Sequence, residues 1–130
     1  MTSALMPPFV LVDSSVWMEH FRQTNTRLTA LLALDQVCVH PFITGEIACG
    51  TPPQRTRLLG DLGRLRSTQQ CTMNELLAFI GRYQLDGQGC GLIDLSLLAS
   101  TLMTANTVLW TADRRLDALA RQFGVAFAEA

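Results

Sequence analysis

Lysine is absent. Each of the ten basic side chains is arginine, which excludes chemistry that runs through an ε-amine, such as a Schiff base or a phosphoacceptor site completed by lysine. Charge of either sign is sparse, at 16% of residues where an average domain carries roughly 25%. The net charge of −1 gives no bulk attraction to a polyanion or a membrane surface, so affinity for nucleic acid has to come from locally placed arginines. A surface this poor in charge is open to cover by a protein partner. The four cysteines, Cys38, Cys49, Cys71 and Cys90, include no C-x-x-C pair, so a zinc site is not expected. No apolar run approaches the roughly 20 residues of a membrane span. Met1 to Pro8 lacks the charged start and apolar stretch of a secretion signal. Reduced, buried thiols in a cytoplasmic protein are the expectation. The two histidines, His20 and His40, are remote from any motif that would pair them with Ser or Cys for nucleophilic catalysis.

What is present is core material. Apolar residues make up 48% of the 130, enough for one domain spanning 1–130. Phe9-Val10-Leu11-Val12 is a continuous apolar run ending at Asp13, the pattern of a strand buried on both faces. Ser14 or Ser15 is placed to cap a helix running to about Arg22. A helix opened by Asn25 or Thr26 carries Leu28, Leu31 and Leu32 on one stripe. Val37-Cys38-Val39 reads as a strand, and Pro41 opens a helix that Gly50 stops after Cys49. Pro52-Pro53 opens a fourth helix with Leu58, Leu59, Leu62 and Leu65. A weak strand is expected near Gln69 to Thr72, and Met73 to about Gln84 is helical. Beyond the glycine-rich loop Asp86 to Gly91 come a helix from Ile93 to about Thr104, a strand over Thr107–Trp110, a helix from Asp113 to Phe123, and an edge strand at Val125–Phe127. Strands alternating with helices predict an α/β domain with a mostly parallel sheet. Ligands of such sheets bind beyond the carboxyl ends of the strands.

That rule separates the acids. Asp13 follows the first strand directly, and Asp113 lies three residues beyond Trp110, so both project from the same end of a parallel sheet. Asp94 opens a helix after the glycine loop, and Glu46 interrupts the apolar helix Phe42-Ile43-Thr44-Gly45-Glu46-Ile47-Ala48. Each also has a structural explanation. Asp94 could cap its helix, Asp113 could be a first-turn acid favoured by the helix dipole, and Asp13 could stabilise the helix beside it. Glu46 resists such an explanation, because a carboxylate among Ile43 and Ile47 is costly to bury without a partner. Carboxylates gathered at one edge repel each other, and a divalent cation removes the conflict. Oxygen ligands without His or Cys favour Mg²⁺ or Mn²⁺. The other acids, Glu19, Asp35, Asp61, Glu75, Asp86, Asp117 and Glu129, read as structural or solvated. Trp17 and Trp110 read as core.

Four segments resemble the motifs of PIN-domain ribonuclease toxins of the VapC family. Val12-Asp13-Ser14-Ser15-Val16-Trp17 resembles the first, and Ile43-Thr44-Gly45-Glu46-Ile47-Ala48-Cys49-Gly50 the second. Gly91-Leu92-Ile93-Asp94-Leu95-Ser96-Leu97-Leu98-Ala99-Ser100 is similar to the third, and Leu109-Trp110-Thr111-Ala112-Asp113-Arg114-Arg115-Leu116 to the fourth. They occur in order over nearly the whole chain. The resemblance implies a PIN-like three-layer α/β sandwich with a central five-stranded parallel sheet flanked by helices. It implies an Mg²⁺- or Mn²⁺-dependent endoribonuclease, acting on RNA such as tRNA, that forms a homodimer and is inhibited by a cognate VapB-type antitoxin. Carried over residue by residue, Asp13, Asp94 and Asp113 would ligate metal, Glu46 would do so directly or through water, and Ser15 and Thr111 would orient carboxylates. Ser96 departs from the pattern, since relatives with this third motif often carry His there; the departure bears on substrate preference.

Other classes fit less well. Receiver domains rely on lysine. Haloacid-dehalogenase-like phosphatases need a second Asp where Ser15 stands. Gly87-Gln88-Gly89-Cys90-Gly91 lacks the spacing of a dinucleotide-binding turn. A scaffold that binds RNA or protein without cutting is the non-enzymatic alternative. For RNA phosphate the candidates are Arg114 and Arg115, which flank Asp113, with Arg55, Arg57, Arg64 and Arg66 clustered elsewhere. The Leu-rich segments 28–34 and 58–65 are the candidate partner surface.

Overall fold

The computed structural model describes residues 7–128, so Glu129 and most of the Met1–Pro8 stretch lie outside the described residues. Strand β1 (Phe9–Val12) lies centrally. Its Val10, Leu11 and Val12 are all buried, and because successive strand side chains point to opposite faces, both faces of the sheet are covered. Helix α1 (Ser14–Arg22) follows at once. Helix α2 (Thr26–Ala33) is capped by the Asn25 side chain, and β2 (Val37–Val39) follows. Helix α3 (Pro41–Cys49) begins with proline in its first turn and ends at Gly50.

Helix α4 (Arg55–Leu62) starts later than Pro52-Pro53 predicts, because Gln54 at its N-cap takes a left-handed conformation, and it ends before Leu65. The weak strand also falls elsewhere, at β3 (Arg66–Ser67) rather than Gln69–Thr72. The reason is local: the Gln69 amide donates to Thr104 Oγ1, and Thr72 is committed to a capping box with Glu75 at the start of α5 (Met73–Tyr83). Helix α6 (Leu92–Met103), β4 (Thr107–Trp110) and α7 (Arg114–Gln122) complete the chain.

The sheet is parallel, with order β3-β2-β1-β4. Among the described residues it has four strands rather than the five the resemblance implies. Val125–Phe127 contributes a single bridge, Ala126 to Leu109, held by Leu109 N–H to Val125 O and Phe127 N–H to Leu109 O. One bridge does not make a ladder. β1 and β4 pair residue for residue from Phe9–Thr107 to Val12–Trp110. Asp13 N–H then extends the ladder to Trp110 O at 2.9 Å. The site is thereby fixed to the sheet, since Asp13 and the Thr111–Asp113 turn leave two neighbouring strands at the same end. The buried side chains form one cluster that includes Trp17, Trp110 and the inward face of α7, Leu116, Leu119 and Ala120. Among the described residues, no helix is long and apolar enough to cross a membrane. The cysteines are free, as expected, but only Cys38 is buried; Cys49 is exposed.

Candidate active site

Among the described residues Asp13 is the most enclosed acid, 6% exposed. It is the N-cap residue of α1 by position, yet its side chain makes no capping bond. Its Oδ2 instead accepts from Ser15 Oγ at 2.7 Å and from Thr111 Oγ1 at 2.9 Å. Ser15 Oγ in turn accepts from the Ala112 amide at 3.0 Å, and Thr111 Oγ1 accepts from the Asp113 amide at 3.1 Å. The two hydroxyls lie 3.4 Å apart. They lock the end of β1 to the turn after β4, and they fix one carboxylate oxygen, Oδ2, while among the described residues no hydrogen bond is made to the other. The expectation that Ser14 or Ser15 caps α1 is therefore corrected, since both hydroxyls serve carboxylates.

Ser14 Oγ donates to Glu46 Oε1 at 2.8 Å. This joins α1 to α3 and supplies the partner that the apolar surroundings of Glu46 demand. Sequence reasoning missed it. The signal was the consecutive serines after Asp13, which a helix start points toward two different neighbours.

Asp113 is the N-cap of α7, its Oδ1 accepting from the Arg115 and Leu116 amides at 2.9 and 3.0 Å. Its structural explanation is therefore true, yet it accounts for one oxygen only. Asp94 is not the N-cap of α6, which is Gly91; it lies in the first turn, where its carboxylate takes a Gly91 backbone hydrogen bond, so its structural explanation holds in part. Burial pushes the Asp94 carboxyl above the usual range, and the charges of Asp113, Asp13 and Glu46 push it the same way, with only a Gly91 backbone hydrogen bond opposing. No arginine contributes. Asp94 thus feels the charges of the other three acids, and no arginine is among the charges that act on it. Among the described residues, no three Asp, Glu, His or Cys side chains stand close enough to enclose an ion. The donor set is nonetheless all oxygen and net negative, which fits a hard divalent cation.

Outside this set the site thins out. His40 follows β2 at the same edge, but it is buried and its Nδ1 caps α3 by accepting from the Phe42 amide at 3.0 Å. His20 Nδ1 accepts from the Asn25 amide at 3.0 Å. Asp117 pairs with Arg121 at 2.8 Å. Ser96 is 3% exposed and 3.9 Å from Cys71 Sγ, so it lies within the packing and not on a substrate surface. Most arginines are engaged: Arg57 and Arg64 with Asp61, Arg55 with Ala48 O, and Arg66 over the Phe9 ring. Arg114 and Arg115 are exposed beside Asp113 and take part in none of the ion pairs among the described residues.

No protein-family model matches the chain. Over 120 residues, 92% of its length, the chain is 41% identical to Ribonuclease VapC32 of Mycobacterium tuberculosis strain CDC 1551 / Oshkosh, covering 97% of that protein. The same identity and coverage hold for Ribonuclease VapC32 of strain ATCC 25618 / H37Rv.

Proposed function

The chain belongs to the VapC family of ribonuclease toxins, and from that premise we propose that it cleaves RNA at the sheet edge that carries Asp13, Glu46, Asp94 and Asp113, with Mg²⁺ or Mn²⁺ as cofactor. The observation that carries the reading is Asp94, a half-buried acid whose affinity for a proton is raised first by burial and then by the charges of Asp113, Asp13 and Glu46, with no arginine among the charges acting on it. A nuclease site that must attract a cation has this character; a structural acid in such surroundings would have a counter-charge.

Asp13, Asp94 and Asp113 would hold the cation, with Glu46 contributing directly or through water. When bound, a divalent cation stabilises charge on the phosphodiester and eases deprotonation of water at neutral pH. The chain's own residues do the rest. Ser15 and Thr111 hold Asp13 in one orientation, Ser14 holds Glu46, and Asp113 keeps one oxygen on the α7 amides while the other is available. Arg114 and Arg115 would meet the RNA phosphates next to the cut.

The proposed partners are RNA (tRNA being one substrate class), a VapB-type antitoxin and a second copy of the chain. Support for a protein partner is a groove of about 470 Å³ where Leu32 of one Leu-rich segment meets Leu58, Leu62 and Leu65 of the other. Support for self-association is the exposure of Met73, Leu77, Leu102 and Met103 on α5 and α6. Cleavage of an RNA panel with Mg²⁺, with EDTA, and by Asp94→Asn tests the site. Activity should require the cation and the Asp94 carboxylate. Cleavage retained in EDTA sinks the metal reading.

A further inference from the structure

The glycine loop before α6 does more than turn the chain. Gly89 has φ +85°, a left-handed conformation that disfavours any side chain. Its missing Cβ is also a contact surface. A Cβ built there would lie 2.5 Å from Arg115 Nη1, 2.6 Å from its Cδ and 2.9 Å from its Cζ. Arg115 therefore lies against the bare backbone of the loop that leads into Asp94. Its other end is equally fixed, since the Arg115 amide donates to Asp113 Oδ1 at 2.9 Å. One residue thus spans the two helix starts that carry Asp94 and Asp113. The thiol of Cys90, next to Gly89, feels the negative charge of Asp94 and Asp113 and the positive charge of Arg115 together. The guanidinium accordingly sits at the border of the acidic edge. It takes part in none of the ion pairs among the described residues.

We propose that Gly89 is a positioning residue for RNA cleavage: its bare backbone seats the Arg115 guanidinium on the loop that leads into Asp94, at the border of the acidic edge, where it grips a phosphate of the RNA strand next to the one being cut. This rests on the reading of the four acids as the cleavage site. A planar guanidinium on a flat seat presents its donors in a fixed fork, whereas the same side chain off its seat sweeps through solvent. An added methyl at Gly89 meets mainly the flexible end of Arg115, so it displaces the arginine more than the backbone. Gly87 supplies the control. It also has positive φ, +72°, but a Cβ there meets nothing within 4 Å. Gly87→Ala carries the backbone strain without the displacement.

The test measures kcat and KM of the full chain on an end-labelled RNA hairpin, with saturating Mg²⁺ and over a range of KCl. The variants are Gly89→Ala, Gly87→Ala, Arg115→Ala and the double Gly89→Ala/Arg115→Ala, with Asp94→Asn as reference. Gly89→Ala and Arg115→Ala should each raise KM by about tenfold with kcat little changed, as for one charge-assisted hydrogen bond. Each should also make the salt dependence shallower, by about 0.7 in log–log slope for one phosphate contact on a single strand. The double variant should be no worse than Arg115→Ala, and Gly87→Ala should keep the wild-type KM and slope. Effects of Gly89→Ala and Arg115→Ala that multiply, or a Gly89→Ala that behaves like Gly87→Ala, overturn the proposal. If Gly89→Ala loses its cooperative melt, Arg115→Lys decides. Lysine keeps the charge without the plane and should fail to restore KM, whereas full rescue by lysine overturns the seat. Cleavage retained by Asp94→Asn breaks the site reading itself. Loss of cleavage there, together with multiplying effects elsewhere, breaks the Gly89 proposal alone.

Discussion

Asp13 and Asp94 are both expected to hold the same cation, yet they are built in opposite ways. Asp13 is enclosed, ends a central strand, and has one oxygen clamped by Ser15 and Thr111. Asp94 is half-buried in the first turn of α6 after a glycine loop, and its surroundings raise its affinity for a proton. One half of the site is organised by hydrogen bonds already made; the other is held in a conflict that a cation would resolve. The contrast teaches that position and affinity come from different residues. The hydroxyls around Asp13 fix where an ion would sit, and the unrelieved charge around Asp94 provides the drive to bind one.

Removing Asp13 should break both halves of that contrast. Asp13→Ala should lower cleavage by at least about a thousandfold, the several kcal/mol that a positioned cation contributes. It should also cost about 1–3 kcal/mol of folding stability, because two part-buried hydroxyls lose their acceptor. Cleavage assays and urea denaturation check the two effects. Asp94→Asn should separate them. Cleavage should fall by about a hundredfold or more, while in EDTA the melting temperature should rise by a few degrees as an unrelieved charge disappears. Adding Mg²⁺ should then stabilise the wild type and leave Asp94→Asn nearly unmoved. A Tm for Asp94→Asn that falls in EDTA would mean that Asp94 has a stabilising partner.

Thr111→Val keeps the shape and removes one hydroxyl from Asp13. A loss of about 10–100-fold in Mg²⁺ affinity or activity is expected, read from the Mg²⁺ dependence of cleavage. The smallest effect is on pH. The folded-state pKa of Asp94 is raised, so native protein binds that proton more tightly than the unfolded chain does. Its contribution to stability is present in full below the ordinary value, about 4, and is lost as pH rises through the raised one. Urea midpoints of metal-free wild type should therefore show a decline from this group on leaving acid pH, and Asp94→Asn should lack that component.

Much of this was legible in the sequence for a physical reason. A strand buried on both faces is mostly apolar, so Phe9–Val12 and Thr107–Trp110 announced themselves, and the turn after each had to emerge at the same edge. Glu46 was legible because its neighbours could not satisfy it. Other features depend on tertiary placement. Arg66–Ser67 pairs with β2 although neither residue is apolar or β-branched, so no periodicity marked it. Val125–Phe127 has the composition of a strand but forms a single bridge. The division of labour between Ser14 and Ser15 depends on where α3 passes, and the seat of Arg115 on Gly89 depends on where α7 begins. Neither can be read along the chain.

The backbone bond from Asp13 N–H to Trp110 O has a consequence for how the molecule breathes. It continues a ladder of four paired positions between the inner strand β1 and β4, so that amide should exchange with solvent deuterium only in the largest openings of the structure. The amides of Gly87 and Gly89 lie in an exposed loop and should exchange through small local excursions. The proposed site would therefore straddle a boundary between slow and fast opening units. An ion held by Asp13 and Asp94 together would tie the fast unit to the slow one, and the protection gained by the loop amides on adding Mg²⁺ would report that tie directly.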